Sequence, residues 1–95
     1  MAKARPSVAR ALQRFAVFGF ATTHEALRAE RALKDAGLPV VPIPPPHSLG
    51  ALCGIAMRVP ANDAQEARLT LAETGISVQD EGVIDDFGPP PPALT

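Results

Sequence analysis

An internal repeat constrains the fold of this chain more than any other feature. Residues 33–40 (LKDAGLPV) match residues 71–78 (LAETGISV) at an offset of 38 positions. At the same offset Phe15 falls on Cys53 and Ala26 falls on Ala64, so the starts of strands and helices coincide too. A β-α-β unit present twice predicts an α+β fold. We expect a ferredoxin-like βαββαβ sandwich with a four-stranded antiparallel sheet in the order 4-1-3-2 and two helices on one face.

Start and stop signals define the two helices. Thr22 and Glu25 have the spacing of a capping box, and Gly37 supplies a left-handed stop. Asn62 or Asp63 caps the second helix, which ends at Gly75. Each helix has an apolar stripe at helical spacing, formed by Ala26, Ala29, Leu33 and Ala36 in the first and by Ala64, Ala67 and Leu71 in the second.

The predicted strands cover residues 14–20, 38–43, 53–59 and 76–84. Pro39 and Pro42 each remove a backbone donor, so the second strand is predicted at an edge of the sheet. Arg58 alternates with Met57 and is therefore expected on the face that the helices leave uncovered. The pattern of the first strand does not decide whether Phe18 and Phe20 share that face or belong to the core.

Length and composition predict one domain with two unlike ends. Residues 1–13 are predicted to be a flexible basic segment, residues 14–84 the ferredoxin-like domain, and residues 85–95 a disordered proline-rich tail. The net charge of −1 argues against nucleic-acid binding, which needs a basic footprint. No apolar run approaches the roughly 20 residues that span a bilayer, so no membrane association is expected.

The single cysteine excludes an internal disulfide and fits a reducing cytoplasm. One cysteine and two histidines match no metal-ligand spacing, so neither a metal nor a cofactor is predicted. Cys53 lies where the proline-rich loop meets the third strand. The topology puts it beside Thr22 and the N-terminus of the first helix, which would stabilise a thiolate. Its position on a core-like face equally suits an inert, packed thiol.

Four further residues are candidates for a site around this thiol. His24, or else His47 in the proline loop, would act as proton donor or imidazolium partner of Cys53, although an exposed histidine is more often only solvated. Gly54 offers a bare backbone amide that a partner could approach. Arg58 would aid partner docking or contact an anion.

The chain resembles the selenium/sulfur-carrier-like family of small single-cysteine bacterial proteins. The similarity extends over residues 14–84 and is most specific in the proline approach and in the block CGIAMR at residues 53–58. It implies that Cys53 accepts sulfur or selenium as a persulfide or perselenide and passes it on. His47 stands where an arginine often follows the prolines, and Ala51 and Leu52 stand where small polar residues often precede the cysteine.

Two functions follow from these observations. The first is a cytoplasmic sulfur or selenium carrier, rather than an independent enzyme, whose partners are a donor protein and an acceptor protein. The alternative is a non-catalytic ferredoxin-like interaction or dimerisation module, which forms a homodimer through its open sheet face and in which Cys53 is structural.

Overall fold

Four strands and two α-helices make up the computed structural model, which describes residues 12–47, 49 and 54–87. In chain order they are β1 (Leu12–Gly19), α1 (Thr23–Asp35), β2 (Val41–Ile43), β3 (Ala56–Pro60), α2 (Ala64–Glu73) and β4 (Asp80–Phe87), with a 3₁₀ turn (Ala61–Asp63) before α2. The strands form one antiparallel sheet in the order β2-β3-β1-β4, which reads 4-1-3-2 from the β4 edge. The predicted α+β class and the edge position of β2 are confirmed.

The two helices end in the same way, and this shared ending corresponds to the sequence repeat at residues 33–40 and 71–78. At the end of α1, the Leu38 amide donates to the Leu33 carbonyl at 3.0 Å and the Gly37 amide donates to the Lys34 carbonyl at 2.9 Å. The end of α2 has the same two bonds, from Ile76 to Leu71 at 2.9 Å and from Gly75 to Ala72 at 3.1 Å. Both glycines have positive φ angles, 81° and 74°. These are Schellman motifs, and the apolar residue after each glycine is buried as the motif requires.

This helix ending corrects the starts of two predicted strands. β2 begins at Val41 instead of residue 38, and β4 begins at Asp80 instead of residue 76, because Leu38 and Ile76 close the helices and do not belong to strands. β3 begins at Ala56, three residues after the predicted start. β1 begins at Leu12 and β4 ends at Phe87, so residues 12–13 and 85–87 lie in strands. Residues 1–11 and 88–95, the rest of the predicted basic segment and tail, lie outside the described residues.

The main core lies between the helices and one face of the sheet. It contains the predicted helix stripes except Ala36, which is exposed. The sheet contributes Ala16, Phe18 and Phe20 from β1 and the residue after it, and Met57 and Val59 from β3. Phe18 and Phe20 therefore belong to the core. Burial of each large apolar side chain here contributes roughly 1.5–3 kcal/mol.

The opposite face of the sheet carries a second, smaller cluster of Val17, Leu49 and Ala56, with Ile43 and Ile84 packed against it. Leu49 comes from the proline-rich loop, whose turn is closed by a bond from the Leu49 amide to the Pro46 carbonyl at 3.0 Å. Leu49 packs over Gly19 and Gly82: a Cβ at either position would lie 3.6 Å from a Leu49 methyl carbon, an ordinary van der Waals contact. The face that the sequence left uncovered is thus partly closed by one loop leucine.

Helix α2 has no side-chain cap at its start and is joined to β4 by an ion pair. Asp63 precedes α2 as expected but makes no side-chain cap bond. Arg68 on α2 donates to Glu81 on β4 at 2.8 Å, and this bond raises the pKa of Arg68 above its usual value.

Among the described residues, no helix combines the length and apolar character needed to cross a membrane.

Candidate functional site

The elements that the sequence predicts around the thiol lie together at one end of the sheet. Gly19, the last residue of β1, pairs with Ala56, the first residue of β3, and with Asp80, the first residue of β4. Ile43, the end of β2, pairs with the same Ala56. Thr22 and α1 follow β1 directly. The start of β3 and the N-terminus of α1 therefore lie at the same end of the molecule.

The N-terminus of α1 is capped by a hydroxyl and opposed by a second helix end. The Thr22 Oγ1 accepts the Glu25 amide at 3.1 Å, which is half of the predicted capping box. The Glu25 carboxylate accepts a bond from Arg28 at 3.0 Å. Arg28 also donates to the Thr74 carbonyl at 3.5 Å, which brings the C-terminus of α2 to this end. The positive pole of α1 and the negative pole of α2 are thus neighbours, and their fields partly cancel.

Cys53 itself lies outside the described residues, as do Ala51 and Leu52. The described residues on either side are Leu49, buried on the sheet face, and Gly54, which is exposed. Apart from residue 54 and its two chain neighbours, no heavy atom of the described residues lies within 4 Å of the position that a Cβ of residue 54 would take. The space beside this glycine is therefore not filled by another described residue.

The two histidines lie in different surroundings. His24 is exposed in the first turn of α1 and lines a shallow surface groove of about 460 Å³ with Arg28, Arg31 and Thr74, among others. His47 is exposed in the turn after the three prolines. Among the described residues, neither imidazole has a hydrogen-bond partner. Both are therefore accessible to a partner molecule.

Arg58 lies on the face opposite Met57, as its alternation predicts, but it is buried, with 9% of its surface exposed. Its guanidinium carbon lies 4.1 Å from the centroid of the Phe15 ring, and its Nη1 donates to Asp86 at 3.3 Å. Phe15 pairs with Pro60, four residues along the ladder from the Gly19–Ala56 pair, which corresponds to roughly 13 Å of strand. The guanidinium therefore extends away from the end of the sheet at which α1 begins.

Two contributors to this region escaped the sequence interpretation. The sequence predicted Leu49 only as part of a loop, although its side chain packs over Gly19 and Gly82. Asp86 was assigned to the tail, although it pairs with Arg58. The alternation Gly82, Ile84, Asp86 on one face of β4 is the signal that could have found Asp86.

Among the described residues, no group of three His, Cys, Asp or Glu side chains is arranged to hold a metal ion.

Comparison with known families gives a match over the larger part of the chain. Residues 15–81 match the family described as "Putative Se/S carrier protein-like". The match runs from β1 to the first two residues of β4 and includes the segment that contains Cys53, so the chain belongs to this family. No curated protein matches the chain, and no solved structure does.

Proposed function

We propose that this protein carries a single sulfur or selenium atom on Cys53. The observation that supports this most is the pairing of Gly19 with Ala56, which sets the start of β3 next to the strand that leads into α1. Cys53 precedes Ala56 by three residues, a length of chain that reaches at most about 11 Å. We therefore expect the thiol near the N-terminus of α1, where a thiolate is favoured. The family description adds the kind of cargo.

The transfer needs no redox partner. The Cys53 thiolate attacks the outer sulfur of a donor persulfide, so that a new Sγ–S bond forms while the donor S–S bond breaks and the donor leaves as a thiolate. The product is a Cys53 persulfide. A nucleophile of the acceptor then attacks the outer sulfur and releases Cys53 as a thiolate. With selenium in place of the outer sulfur, the steps are the same.

The neighbouring residues receive roles in this scheme. His24 or His47 acts as the imidazolium partner of the Cys53 thiolate or donates a proton to the thiolate that leaves, since both imidazoles are exposed. Gly54 leaves space for the partner's reacting group, because no described residue fills it. Donor and acceptor are proteins that reach this end of the sheet, and the exchange suits a reducing cytoplasm.

The pH dependence of thiol alkylation tests this proposal. We expect the native protein to react with a pKa below the value of about 8.5 for a free cysteine. Thr22→Ala removes the α1 cap and should raise that pKa, whereas Thr70→Ala, in α2, is the matched control and should leave it unchanged. A thiol that reacts only after unfolding would exclude the carrier and favour the interaction module, whose partner complex would survive Cys53→Ser unchanged.

A further inference from the structure

The face of the sheet opposite the helices holds a buried cation with too few partners. Arg58 is nine-tenths buried, and its Nε is inaccessible and has no hydrogen-bond partner among the described residues. A guanidinium has five N–H donors. Asp86 accepts from Nη1 at 3.3 Å, and Phe15 covers one side of the group without accepting a conventional hydrogen bond.

Such a group is costly to bury. A buried donor without an acceptor loses its hydration and receives nothing in exchange, and the loss is larger for a charged group. The carboxylate of Asp86 is half-exposed, so water weakens its attraction for Arg58. Buried polar groups in native proteins are almost always satisfied, so an acceptor for this guanidinium is expected. Since Nε itself is inaccessible, the donors available to such an acceptor are those of the Nη groups that Asp86 does not use.

A cleft lies beside this guanidinium. Its volume is about 240 Å³, and it is lined by Gln13, Phe15, Pro39, Val41, Arg58 and Pro60. Most of these side chains are apolar, and Gln13 adds one amide. The volume is below that of most drug-sized ligand sites, so the cleft suits a short aliphatic or single-ring molecule. The roughly 13 Å of strand between Phe15 and the start of β3 separates the cleft from the proposed thiol site.

We propose that this cleft binds a small organic carboxylate, with its anionic head on the Arg58 guanidinium and its apolar body against Phe15, Pro39 and Val41. One cation that is already shared with Asp86 suits a monoanion better than a phosphate dianion. The apolar walls favour an organic acid over an inorganic ion, and they strengthen the ion pair by excluding water. This binding does not depend on Cys53.

NMR titration of the full chain with benzoate, with benzamide as the uncharged control, tests this directly. We expect saturable shifts at Phe15, Val41 and the Arg58 Nε–H with benzoate only. Arg58→Met should weaken benzoate binding about tenfold to a hundredfold, because a hydrogen-bonded charge is lost. Arg14→Met removes an exposed arginine of β1 that pairs with Asp85, the residue before Asp86 in β4, and it should leave benzoate binding unchanged.

Two further variants guard against a misfolded Arg58→Met protein. Asp86→Asn removes the competing carboxylate and should tighten benzoate binding, whereas Val41→Phe narrows the cleft and should weaken it. Equal binding of benzamide, loss of binding in Arg14→Met, or weaker binding in Asp86→Asn would overturn the proposal. Thiol alkylation of Cys53 should be the same with and without benzoate, so that failure of this proposal is distinguishable from failure of the carrier function.

Discussion

The two faces of the sheet are buried in different ways. On one face, two helices cover a continuous core that includes Phe18, Leu33, Met57 and Leu71, all essentially inaccessible to solvent. On the other face, no helix packs among the described residues. A single loop leucine and a buried arginine close it instead, with Val17 and Ala56 beneath Leu49 and Phe15 beneath Arg58.

This difference separates stability from function. The helix-covered face draws its stability from many apolar contacts, which come from both helices, from β1 and β3 and from the residues that follow each helix. The opposite face draws its burial from the loop that leads toward Cys53 and from one ion pair. Since few groups close this face, each of them is a specific target, and single substitutions there should alter local properties while the fold persists.

The largest effect is expected in the helix-covered core. Phe18→Ala should lower the free energy of unfolding by about 3–5 kcal/mol, because it leaves a cavity beneath both helices. Chemical denaturation measures this loss. Phe87→Ala makes the same change at a half-exposed position in β4 and should cost less than about 1 kcal/mol. Similar losses in both variants would contradict the assignment of Phe18 to the core.

Leu49→Ala should be the most costly single change on the other face. We expect a loss of about 2 kcal/mol, at the low end for a buried leucine, because only one loop residue is withdrawn from the sheet. Leu69→Ala, at an exposed position of α2, is the matched control and should stay within about 0.5 kcal/mol of the original protein. A Leu49→Ala protein as stable as that control would show that the loop is not anchored on the sheet.

The ion pair of the same face should have a smaller effect. Asp86→Asn weakens the partner of a buried guanidinium and should cost about 1 kcal/mol, reduced from the value of a buried pair because Asp86 is half-exposed. Asp85→Asn disrupts the exposed pair with Arg14 on the adjacent position and should cost about 0.5 kcal/mol or less. Denaturation of the two variants in low salt gives the comparison, and equal costs would mean that Arg58 is effectively solvated.

The smallest effect is expected when a single methyl group is added at Gly82. A methyl group at this position lies 3.6 Å from Leu49, an ordinary van der Waals contact, so Gly82→Ala should change stability by less than about 1 kcal/mol. Gly82→Ile brings branched carbons into the space of Leu49 and should destabilise by about 1–3 kcal/mol. If the isoleucine variant is as stable as the alanine variant, the Leu49 side chain does not pack closely over Gly82.

The repeat and the capping signals were sufficient to predict the fold, the sheet order and the buried stripes of both helices. The strand starts after Gly37 and Gly75 were wrong because an apolar residue that closes a Schellman motif has the same sequence appearance as the first residue of a strand. The facing of β1 could not be read, since residues 15–20 are buried on both faces and show no alternation.

The candidate site was less accessible to sequence reasoning. The topology alone predicts that three elements lie at the same end of the sheet: α1, the end of β1 and the start of β3. The direction of the Arg58 side chain depends on Phe15 and Asp86, which are distant in sequence and join it only through the registers of β1 with β3 and of β1 with β4. No local pattern carries that information.

The central claim is that Cys53 accepts a sulfur or selenium atom, and mass spectrometry tests it most directly. The full chain is incubated with a persulfide donor, and the peptide that contains Cys53 is analysed before and after reduction by a thiol. The account predicts the mass of one added sulfur atom on Cys53, its loss on reduction, and no added sulfur in Cys53→Ser. An accessible Cys53 thiol that stays unmodified under these conditions would contradict it.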